Sequence, residues 1–399
     1  MSKKLVYFDN ASTTFPKPAS VYSATDTFFR TGAVNPGRGT YDLAIQCSEM
    51  VSDCRMEIAQ MFHFKHPDNV IFCFNATDAL NLGIKGYVKP GDHVIATANE
   101  HNSVLRPLNA LKKQQLKVTF IGNDDNGVVN LGQLESSITQ KTSLIIANHA
   151  SNVTGIIQPI REIGSIAKRH NLAFLVDCAQ TAGKVNIDMP GNQVDMLAFA
   201  GHKGPFGPTG TGGLLISPKI KINTIKEGGT GGKSQLEIQP LNMPEKFEAG
   251  TLNVVGIYGL KAGIQFIQEV GVSSIYDHED QLIQKLINGL REIPKVQIYG
   301  YPDNINRVSV ISFNIEGQIA LVTNQVMAER YGIASWSGLH CAPLIHQEIR
   351  SFPSGAVRLS PGFFNTEEEV DYVLQSVAEI CETEFTVDEI QYIMECGAL

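Results

Sequence analysis

Apolar runs too short for core helices recur through the first half of the chain, and segments with helical periodicity separate them. Runs of this length are typical of strands buried on both faces of a mostly parallel sheet, and the amphipathic segment Pro159–His170 is typical of a crossover helix. The alternation predicts an α/β layered domain, with candidate chemistry at the carboxyl ends of the strands. The predicted strands are Val70–Phe74, His93–Thr97, Val118–Gly122, Leu144–Asn148, Ala173–Asp177, Met196–Ala200 and Gly213–Ser217.

The pattern changes at the glycine-rich segment Glu227–Lys233, and neither periodicity is present as far as about Asn253. We interpret this stretch as a long functional loop, with a flexible linker as the alternative. Periodic segments then resume and predict a smaller α+β domain. We expect a large domain over 15–255 and a small one over 256–399, with 1–14 packing on the small domain or at the active site. The later elements are helices Val255–Val270, Ile275–Leu290 and Ile319–Tyr331, strands Val296–Tyr299 and Val308–Asn314, and a final helix from Glu367.

Charge and composition argue against several classes of protein. The net charge is −8 and no run of lysine or arginine occurs, so the sequence gives little support for nucleic-acid binding. No apolar run reaches the ~20 residues of a membrane-spanning helix, and Asp9 comes too early for a signal peptide. We therefore expect a cytoplasmic protein. The seven cysteines are dispersed without metal-ligand spacing, which favours reduced thiols and no metal site.

The segment Phe199–Gly210 places a single lysine, Lys203, among glycines and prolines at the end of a predicted strand. A surface lysine usually has polar neighbours and needs no such rigid setting. A lysine at the carboxyl end of a strand, where glycine backbone lets a ligand approach, is suited to a Schiff base with an aldehyde cofactor. From this segment alone, an ordinary lysine is an equally good interpretation.

An aspartate ends the predicted strand Ala173–Asp177. A buried carboxylate is costly unless it is paired, and the protonated ring nitrogen of pyridoxal phosphate would be such a partner. The alternative is an aspartate that caps the following turn. Because Lys203 follows only one predicted strand later, the two residues together favour a cofactor site.

A predicted helix begins within Phe74–Asn81, directly after the first strand. Asn75 or Thr77 is a suitable N-cap residue, and the free amides and positive dipole end of a helix bind phosphate. Every helix has such a start, so the segment alone is a weak signal. Its position in the chain is consistent with a phosphate site.

Together these segments resemble the fold-type I pyridoxal phosphate enzymes of the class V aminotransferase group, and within it the cysteine desulfurases and selenocysteine lyases. The resemblance extends from residue 5 to about residue 375 and implies a mostly parallel seven-stranded sheet in the large domain. The motifs that match in order and spacing are Tyr7–Thr14, Asn99–Ser103, Ser151–Gly155, Asp177 with Gln180, and His202 with Lys203.

The resemblance implies roles for individual residues. Lys203 would bind the cofactor covalently and later take the α-proton of the substrate, and Asp177 would hold the pyridine nitrogen. His101 would stack on the ring, with a structural histidine as the alternative. Thr251 would reach the cofactor phosphate of a second subunit, which implies a homodimer. The other expected cofactor contacts are Ala76, Thr77 and His202 at the phosphate, Gln180 at the phenolic oxygen, and Asn152.

The segment Ser337–Leu344 contains Cys341, flanked by glycine, histidine and proline. Such neighbours favour an exposed loop, whereas the buried and inert alternative fits Cys73 or Cys178 better. A thiol beside His340 is expected to deprotonate more readily, and the thiolate is the competent nucleophile. The segment resembles the catalytic loop of the type II desulfurases, in which the thiolate takes sulfur from the substrate as a persulfide.

Arg358 occurs within the apolar run Ala356–Pro361. A guanidinium can bind a carboxylate through two parallel hydrogen bonds, and the resemblance implies that this arginine binds the substrate α-carboxylate. A structural salt bridge is the alternative. Asn152 and Ala11 would assist, and Arg38 is a weaker active-site candidate near the dimer interface.

One position departs from the family pattern. The family often has an arginine five residues before the catalytic cysteine, where this chain has Trp336, its only tryptophan. A flat ring thus replaces a cation beside the expected pocket, which leaves the preferred amino acid open.

The residues above predict a pyridoxal phosphate-dependent cysteine desulfurase that converts L-cysteine into L-alanine. Cys341 would carry the sulfur as a persulfide and donate it to an acceptor. The alternatives within the fold are a selenocysteine lyase, acting on L-selenocysteine, and another β-elimination or transamination of a related amino acid. A non-enzymatic scaffold that binds a sulfur carrier is disfavoured, because it would not need the full set of Lys203, Asp177, His101, Arg358 and Cys341.

Overall fold

A computed structural model of the chain describes residues 5–37, 39–300, 305–383 and 385. Strands and helices alternate through most of it. The strands are β1 (Val6–Tyr7), β2 (Val70–Cys73), β3 (His93–Thr97), β4 (Lys117–Ile121), β5 (Thr142–Asn148), β6 (Ala173–Asp177), β7 (Met196–Ala200), β8 (Gly212–Ile216), β9 (Val296–Tyr299), β10 (Ile311–Ile315), β11 (Ile333–Ala334), β12 (Trp336–Gly338) and β13 (Ala356–Leu359). The α-helices are α1 (Ala19–Thr31), α2 (Asp42–Met61), α3 (Ala76–Tyr87), α4 (Asn102–Leu111), α5 (Leu131–Ser136), α6 (Ile160–Arg169), α7 (Val254–Val270), α8 (Val272–Glu292), α9 (Ala320–Tyr331), α10 (Pro343–Glu348) and α11 (Glu367–Cys381).

Seven strands form the main sheet, in the order β2-β8-β7-β6-β5-β3-β4. The pairs from β7 to β4 are parallel, whereas β8 runs antiparallel to both β7 and β2. Strand β2 therefore points the same way as the parallel strands, and six carboxyl ends share one edge. The predicted mostly parallel seven-stranded sheet is confirmed. The predicted bounds of β3, β6 and β7 match the observed ones.

Apolar packing on both faces explains the composition of these strands. Every residue of β3, β6, β7 and β8 is buried. Successive side chains of a strand point to opposite faces, so Phe174 joins the core on one face and Leu175 the core on the other. Helix α7 belongs to the first of these cores through Ile257 and Leu260. The predicted domain boundary at 255/256 falls inside α7, and the two-domain division stays a prediction.

A four-stranded antiparallel sheet, β12-β13-β10-β9, carries a second core. Helices α8, α9 and α11 cover it with Leu286, Val326 and Val373 among others. The elements predicted for this part of the chain are present, with ends displaced by no more than three residues. None of the helices in the described ranges combines the length and hydropathy that a bilayer crossing requires.

The segment that follows β1 is tied to the second half of the chain. Strand β1 pairs in parallel with β11, and Asp9 forms an isolated bridge with Ser360. Asn10 is buried and donates to the carbonyl of Ser360 at 3.0 Å. Four residues later, the hydroxyl of Thr14 donates to the carbonyl of Lys203 at 3.1 Å. This segment therefore lies between the small sheet and the turn that holds the candidate cofactor lysine.

Candidate active site

Polar side chains meet at the carboxyl edge of the main sheet. Asp177 is the last residue of β6, and Lys203 lies in the turn after β7. His101 follows β3, and Asn152 follows β5. Because these strands are parallel neighbours, their carboxyl ends bring the four residues to the same edge.

The turn around Lys203 is tight and hydrogen-bonded. The amide of Phe206 donates to the carbonyl of Lys203 at 2.8 Å. A Cβ at Gly204 would lie 2.1 Å from the carbonyl oxygen of Ala182, so only glycine fits there. Burial and the charge of Arg358 lower the pKa of Lys203 to about 8, against the opposing effect of two carboxylates. Roughly a tenth of this amine is therefore neutral at pH 7, far more than for an ordinary lysine with a pKa of ~10.4.

Asp177 is 2% exposed, and its Oδ1 accepts a hydrogen bond from the amide of Ala179 at 2.9 Å. Burial raises its pKa, while that hydrogen bond and the charge of Lys203 act in the opposite direction. A cation placed against Asp177 would offset the cost of burying the carboxylate.

Glu100 is a second buried carboxyl at this edge, and the sequence reasoning missed it. Its Oε1 accepts from the hydroxyl of Thr97 at 2.7 Å and from the amide of Asn148 at 2.8 Å. Its Oε2 is buried and has no partner in the part of the chain that the structure describes. Burial raises the pKa of Glu100 to about 8, and the charge of Asp177 adds to this effect. An acid directly before His101, in the loop after a buried strand, was a signal that could have found it.

His101 caps α4 with its ring. Its Nδ1 accepts a hydrogen bond from the amide of Ser103 at 3.1 Å and lies 2.8 Å from the hydroxyl of the same serine. That hydroxyl is 2.7 Å from the hydroxyl of Thr77. Burial and the charge of Lys203 lower the pKa of His101 to about 4. The ring is therefore neutral and carries its proton on Nε2.

Helix α3 begins where a phosphate would be held. Asn75 is the N-cap, and its Oδ1 accepts from the amide of Asp78 at 2.9 Å. Thr77 therefore lies inside the first turn, where the amides of Ala76 and Thr77 have no acceptor within the helix. His202 adds a ring whose buried Nδ1 meets no partner within the described ranges.

Arg358 is 1% exposed and partly engaged. Its Nη2 donates to Oδ1 of Asp9 at 2.8 Å and to the hydroxyl of Ser12 at 2.7 Å, and its Nη1 donates to the carbonyl of Asn152 at 3.1 Å. The ring centroid of Trp336 lies 5.0 Å from the guanidinium carbon. The structural salt bridge considered as an alternative thus exists, with Asp9. Sequence reasoning missed this pairing, because residues so far apart in the chain leave no local signal.

Cys341 lies in the turn between β12 and α10 and lines a cavity of about 330 Å³ together with His101, Thr77 and Ser103. A thiolate at Cys341 would lie within electrostatic range of the guanidinium of Arg358. Burial raises the pKa of each of the other cysteines in the described ranges, which keeps them as thiols; they are Cys47, Cys54, Cys73, Cys178 and Cys381.

The ring of His340 does not serve the neighbouring thiol in the way that the sequence suggested. Its Nδ1 lies 3.2 Å from Nε2 of His346, and its Nε2 lies 3.4 Å from the carbonyl oxygen of Trp336. Burial and the charge of Arg358 lower the pKa of His340 well below its usual value. A neutral ring with both nitrogens engaged elsewhere gives no support to the expected deprotonation of Cys341.

The remaining candidates are spread around this centre. Gln180 donates through Nε2 to the carbonyl of Ala11 at 3.1 Å, so these two candidates contact each other. Thr251 lines a separate, largely apolar cavity of about 430 Å³ that also contains Phe74 and Phe247. Arg38 lies outside the described residues.

Pyridoxal phosphate fits the polar groups at this edge. His202 Nδ1, Asn152 Oδ1 and Arg358 Nε are all buried and without a partner among the described residues. Polar atoms are seldom left in this condition, so a polar ligand is expected here. An aldehyde would meet the amine of Lys203, a ring nitrogen would meet Asp177, and a phosphate would meet the start of α3.

Comparisons with known proteins identify the family of the chain. The sequence model of the family described as "Aminotransferase class-V" matches residues 6–373. A probable cysteine desulfurase of Methanothermobacter thermautotrophicus is 32% identical over 382 residues, which cover 94% of this chain and 94% of that protein. A probable cysteine desulfurase of Pyrococcus abyssi is 34% identical over 390 residues, which cover 95% of each chain.

Solved structures show the same fold. The apo structure of a cysteine desulfurase from Thermococcus onnurineus is 33% identical, has a TM-score of 0.85 and is matched over 95% of each chain. The cysteine desulfurase CsdA from Escherichia coli, in an S-sulfonic acid form, is 25% identical with a TM-score of 0.84, over 94% of each chain.

Proposed function

Because the chain belongs to the class-V aminotransferase family, we propose that it is a pyridoxal phosphate-dependent cysteine desulfurase, which converts L-cysteine into L-alanine. The observation that carries this proposal is the position of Cys341, which lines one cavity with His101 and Thr77 and lies within electrostatic range of Arg358. A thiol so placed can reach a substrate whose carboxylate is held by that arginine. The names of the curated relatives support the same activity.

The chain's own residues account for cofactor binding in this proposal. Lys203 holds the cofactor covalently, Asp177 binds its ring nitrogen and neutral His101 covers its ring. The amides of Ala76 and Thr77 and the ring of His202 bind the phosphate, and Gln180 lies at the phenolic oxygen. When bound, pyridoxal phosphate supplies an electron sink for the pair released from the substrate's α-carbon.

Two side chains take part directly in the chemistry, one as a general base and one as a nucleophile. Once the substrate's amino group has taken its place at the cofactor, the released neutral amine of Lys203 accepts the proton from the substrate's α-carbon, for which its pKa of about 8 is suited. The thiolate of Cys341 attacks the γ-sulfur, so that a sulfur–sulfur bond forms as the carbon–sulfur bond breaks and its electron pair stays with the β-carbon. Protonation of that carbon and return of a proton to the α-carbon give alanine, and the sulfur remains on Cys341 as a persulfide for an acceptor.

Arg358 and Asn152 orient the substrate. Among the described residues, the Nε of the buried guanidinium has no partner and can donate to the substrate carboxylate. The unpaired Oδ1 of Asn152 can only accept, so it suits the substrate's amino group. A carboxylate bound to the guanidinium directs the β-carbon and its sulfur in a fixed direction. Because Asp9 already shares the guanidinium, the local charge is nearly balanced before the substrate arrives.

The decisive experiment compares Cys341→Ala with Cys47→Ser, a buried cysteine on α2. We expect the first variant to bind cofactor normally and to lose alanine formation from cysteine by about a hundredfold or more, because the nucleophile is gone. The second variant should keep the unmodified rate. Alanine and sulfide would be measured together. Alanine formation by Cys341→Ala at the unmodified rate would sink the proposal.

Cofactor attachment is tested separately from activity. Borohydride reduction of the cofactor-loaded protein, followed by peptide mapping, should place the pyridoxyl group on Lys203. Lys17 is the matched control, since it is partly buried nearby and donates to the carbonyl of His202 at 2.7 Å. A label on Lys17 or any other lysine would end the assignment.

We also propose a homodimer in which Thr251 completes the phosphate site of the partner. Thr251 is exposed and lines an apolar cavity with Phe74 and Phe247, and Phe74 is 51% exposed in the single chain. Sedimentation should give a dimer. Thr251→Ala should weaken cofactor binding while Thr230→Ala, on the neighbouring loop, should not. A fully active monomer would contradict this arrangement.

A further inference from the structure

The backbone of the Cys341 turn has an unusual conformation. His340 and Cys341 have φ angles of 48° and 54°, so two consecutive residues with side chains adopt the left-handed region. Such a conformation persists only where the surrounding structure holds it. Two hydrogen bonds from segments that follow strands of the main sheet help to hold the turn in this conformation. The side-chain amide of Asn152 donates to the carbonyl of His340 at 2.7 Å, and the amide of Asn102 donates to the carbonyl of Cys341 at 2.6 Å.

A buried chain of side chains holds the turn from the other side. Nδ1 of His340 lies 3.2 Å from Nε2 of His346, and Nδ1 of His346 lies 2.6 Å from the hydroxyl of Ser351. Their exposed fractions are 1%, 0% and 5%. The two rings are stacked, with centroids 5.3 Å apart. We call this set, His340, His346 and Ser351, the histidine relay.

The carbonyl of Trp336 determines which atom donates in each hydrogen bond of the relay. The carbonyl oxygen of Trp336 can only accept, so Nε2 of His340 carries the hydrogen. A neutral His340 then offers a lone pair at Nδ1, to which Nε2 of His346 donates. His346 in turn accepts at Nδ1 from the hydroxyl of Ser351. Burial lowers the pKa of His346 to about 4 and that of His340 well below its usual value, so both rings are neutral as this order requires.

From this geometry we propose that His346 and Ser351 are positioning residues for the nucleophile: they fix the ring of His340, and through it the backbone that points the Cys341 thiol into the cavity. The inference rests on the proposed function only in taking Cys341 as the sulfur-accepting group. The relay acts through position rather than by proton transfer, because every nitrogen in it is already engaged away from the thiol.

The test uses the cofactor-loaded enzyme and four substitutions. His346→Phe keeps a ring and removes both hydrogen bonds, whereas His346→Gln keeps an amide that can donate to His340. Ser351→Ala removes the last donor of the relay. His93→Phe is the matched control. His93 is also buried and hydrogen-bonded to two threonine hydroxyls, but it lies at the amino end of β3, away from the candidate site.

We expect His346→Phe to lower kcat for alanine formation by about tenfold or more with KM little changed, because small misplacements of a reacting group are costly. The rate at which iodoacetamide alkylates Cys341, followed by peptide mapping, should rise about threefold, since a released turn exposes the thiol. Ser351→Ala should show both changes to a smaller degree, and His346→Gln should restore kcat most of the way. The cofactor absorbance should be unchanged in all four.

Two outcomes would overturn the inference. One is a His346→Phe enzyme with the original kcat and the original alkylation rate of Cys341. The other is a loss of kcat that follows cofactor content, or that His93→Phe reproduces, because a general loss of stability would give this. If His346→Phe does not fold, Ser351→Ala decides the question by the same two measurements. Should the unmodified enzyme form no alanine, the proposed function fails, whereas the alkylation rate still reports on the relay.

Discussion

At the scale of single residues, Lys203 lies among charges that act on it in opposite directions. Burial and the guanidinium of Arg358 lower its pKa, while the carboxylates of Asp177 and Asp9 raise it. The balance leaves the pKa at about 8. The pocket therefore prepares the amine before any cofactor is present.

We expect cofactor-free protein to react with pyridoxal phosphate at a rate that rises with pH through a midpoint near about 8, because only the neutral amine attacks. Arg358→Met removes a positive charge and should move that midpoint upward. Arg161→Met, on the exposed face of α6, should leave it in place. The appearance of the cofactor absorbance band after mixing measures the rate. A midpoint near the ~10.4 of a free lysine in the unmodified protein would contradict the prediction.

Because of its raised pKa, Glu100 makes the free energy of unfolding depend on pH. The folded protein holds the proton of Glu100 up to about pH 8, whereas an unfolded chain releases it near its ordinary value of 4.5. The unfolded state therefore binds fewer protons in this window, and Glu100 makes the free energy of unfolding fall as pH rises through it.

Glu100→Gln should remove that contribution, since the amide cannot ionise. We expect the variant to lose less stability than the unmodified protein as the pH rises from about 6 to about 8.5. Urea unfolding at several pH values measures this difference. Glu162→Gln, an exposed site on α6, is the control. Parallel pH profiles for Glu100→Gln and the unmodified protein would show that Glu100 ionises normally.

At the scale of elements, the N-cap of α3 has two separable effects. Asn75→Ala removes the acceptor for the amide of Asp78 and should lower the free energy of unfolding by about 1 kcal/mol. Asn75→Asp keeps the cap and adds a negative charge beside the proposed phosphate, so stability should be kept while cofactor affinity falls. Denaturant unfolding and absorbance titration give the two quantities. Equal cofactor affinity in all three proteins would place the phosphate elsewhere.

The buried strands were the elements best predicted from the sequence. Burial on both faces gives β3, β6 and β7 continuous apolar runs, and their bounds match the prediction. Short strands such as β11 and β12 were missed, because two or three residues carry no periodicity and their pairing depends on distant partners. Helix α1 was missed as well, since Val21 is its only buried residue.

Some residues of the candidate site could likewise be predicted from the sequence and others could not. Asp177 ends a strand and Lys203 lies just after one, so a local pattern indicates both, whereas His101 was predicted from the family resemblance. Asp9 pairs with Arg358, which is far away in the sequence, so no local pattern indicates it. The contact between His346 and Ser351 could be identified only from the distance between them in the structure. Local sequence thus indicates the groups at strand ends, whereas contacts between distant segments need the fold.

At the scale of the whole molecule, the buried pair Lys184–Glu279 joins the two halves. Lys184 lies in the turns after β6, and Glu279 lies on α8, which covers the second core. Their side chains are 8% and 4% exposed, and Nζ lies 2.7 Å from Oε2. A charge left alone in such a place is strongly unfavourable.

Glu279→Ala should therefore lower the free energy of unfolding by about 3–5 kcal/mol, whereas the double variant Lys184→Met, Glu279→Leu should lose much less. Lys285→Met, at an exposed cluster of ion pairs on the same helix, is the control. Urea unfolding of the single and double variants gives the coupling free energy. Additive losses would mean that the two halves are not joined through this pair.

The tie between β1 and β11 has a consequence for how the protein is made. The ribosome synthesises the β1 segment more than 300 residues before it reaches β11 and Arg358. At about 5–20 residues per second that interval is of the order of 20–70 seconds. Until then Phe8, which is wholly buried in the finished protein, has no core to enter. The proposed substrate subsite around Arg358 can therefore close only after the ribosome has passed this point.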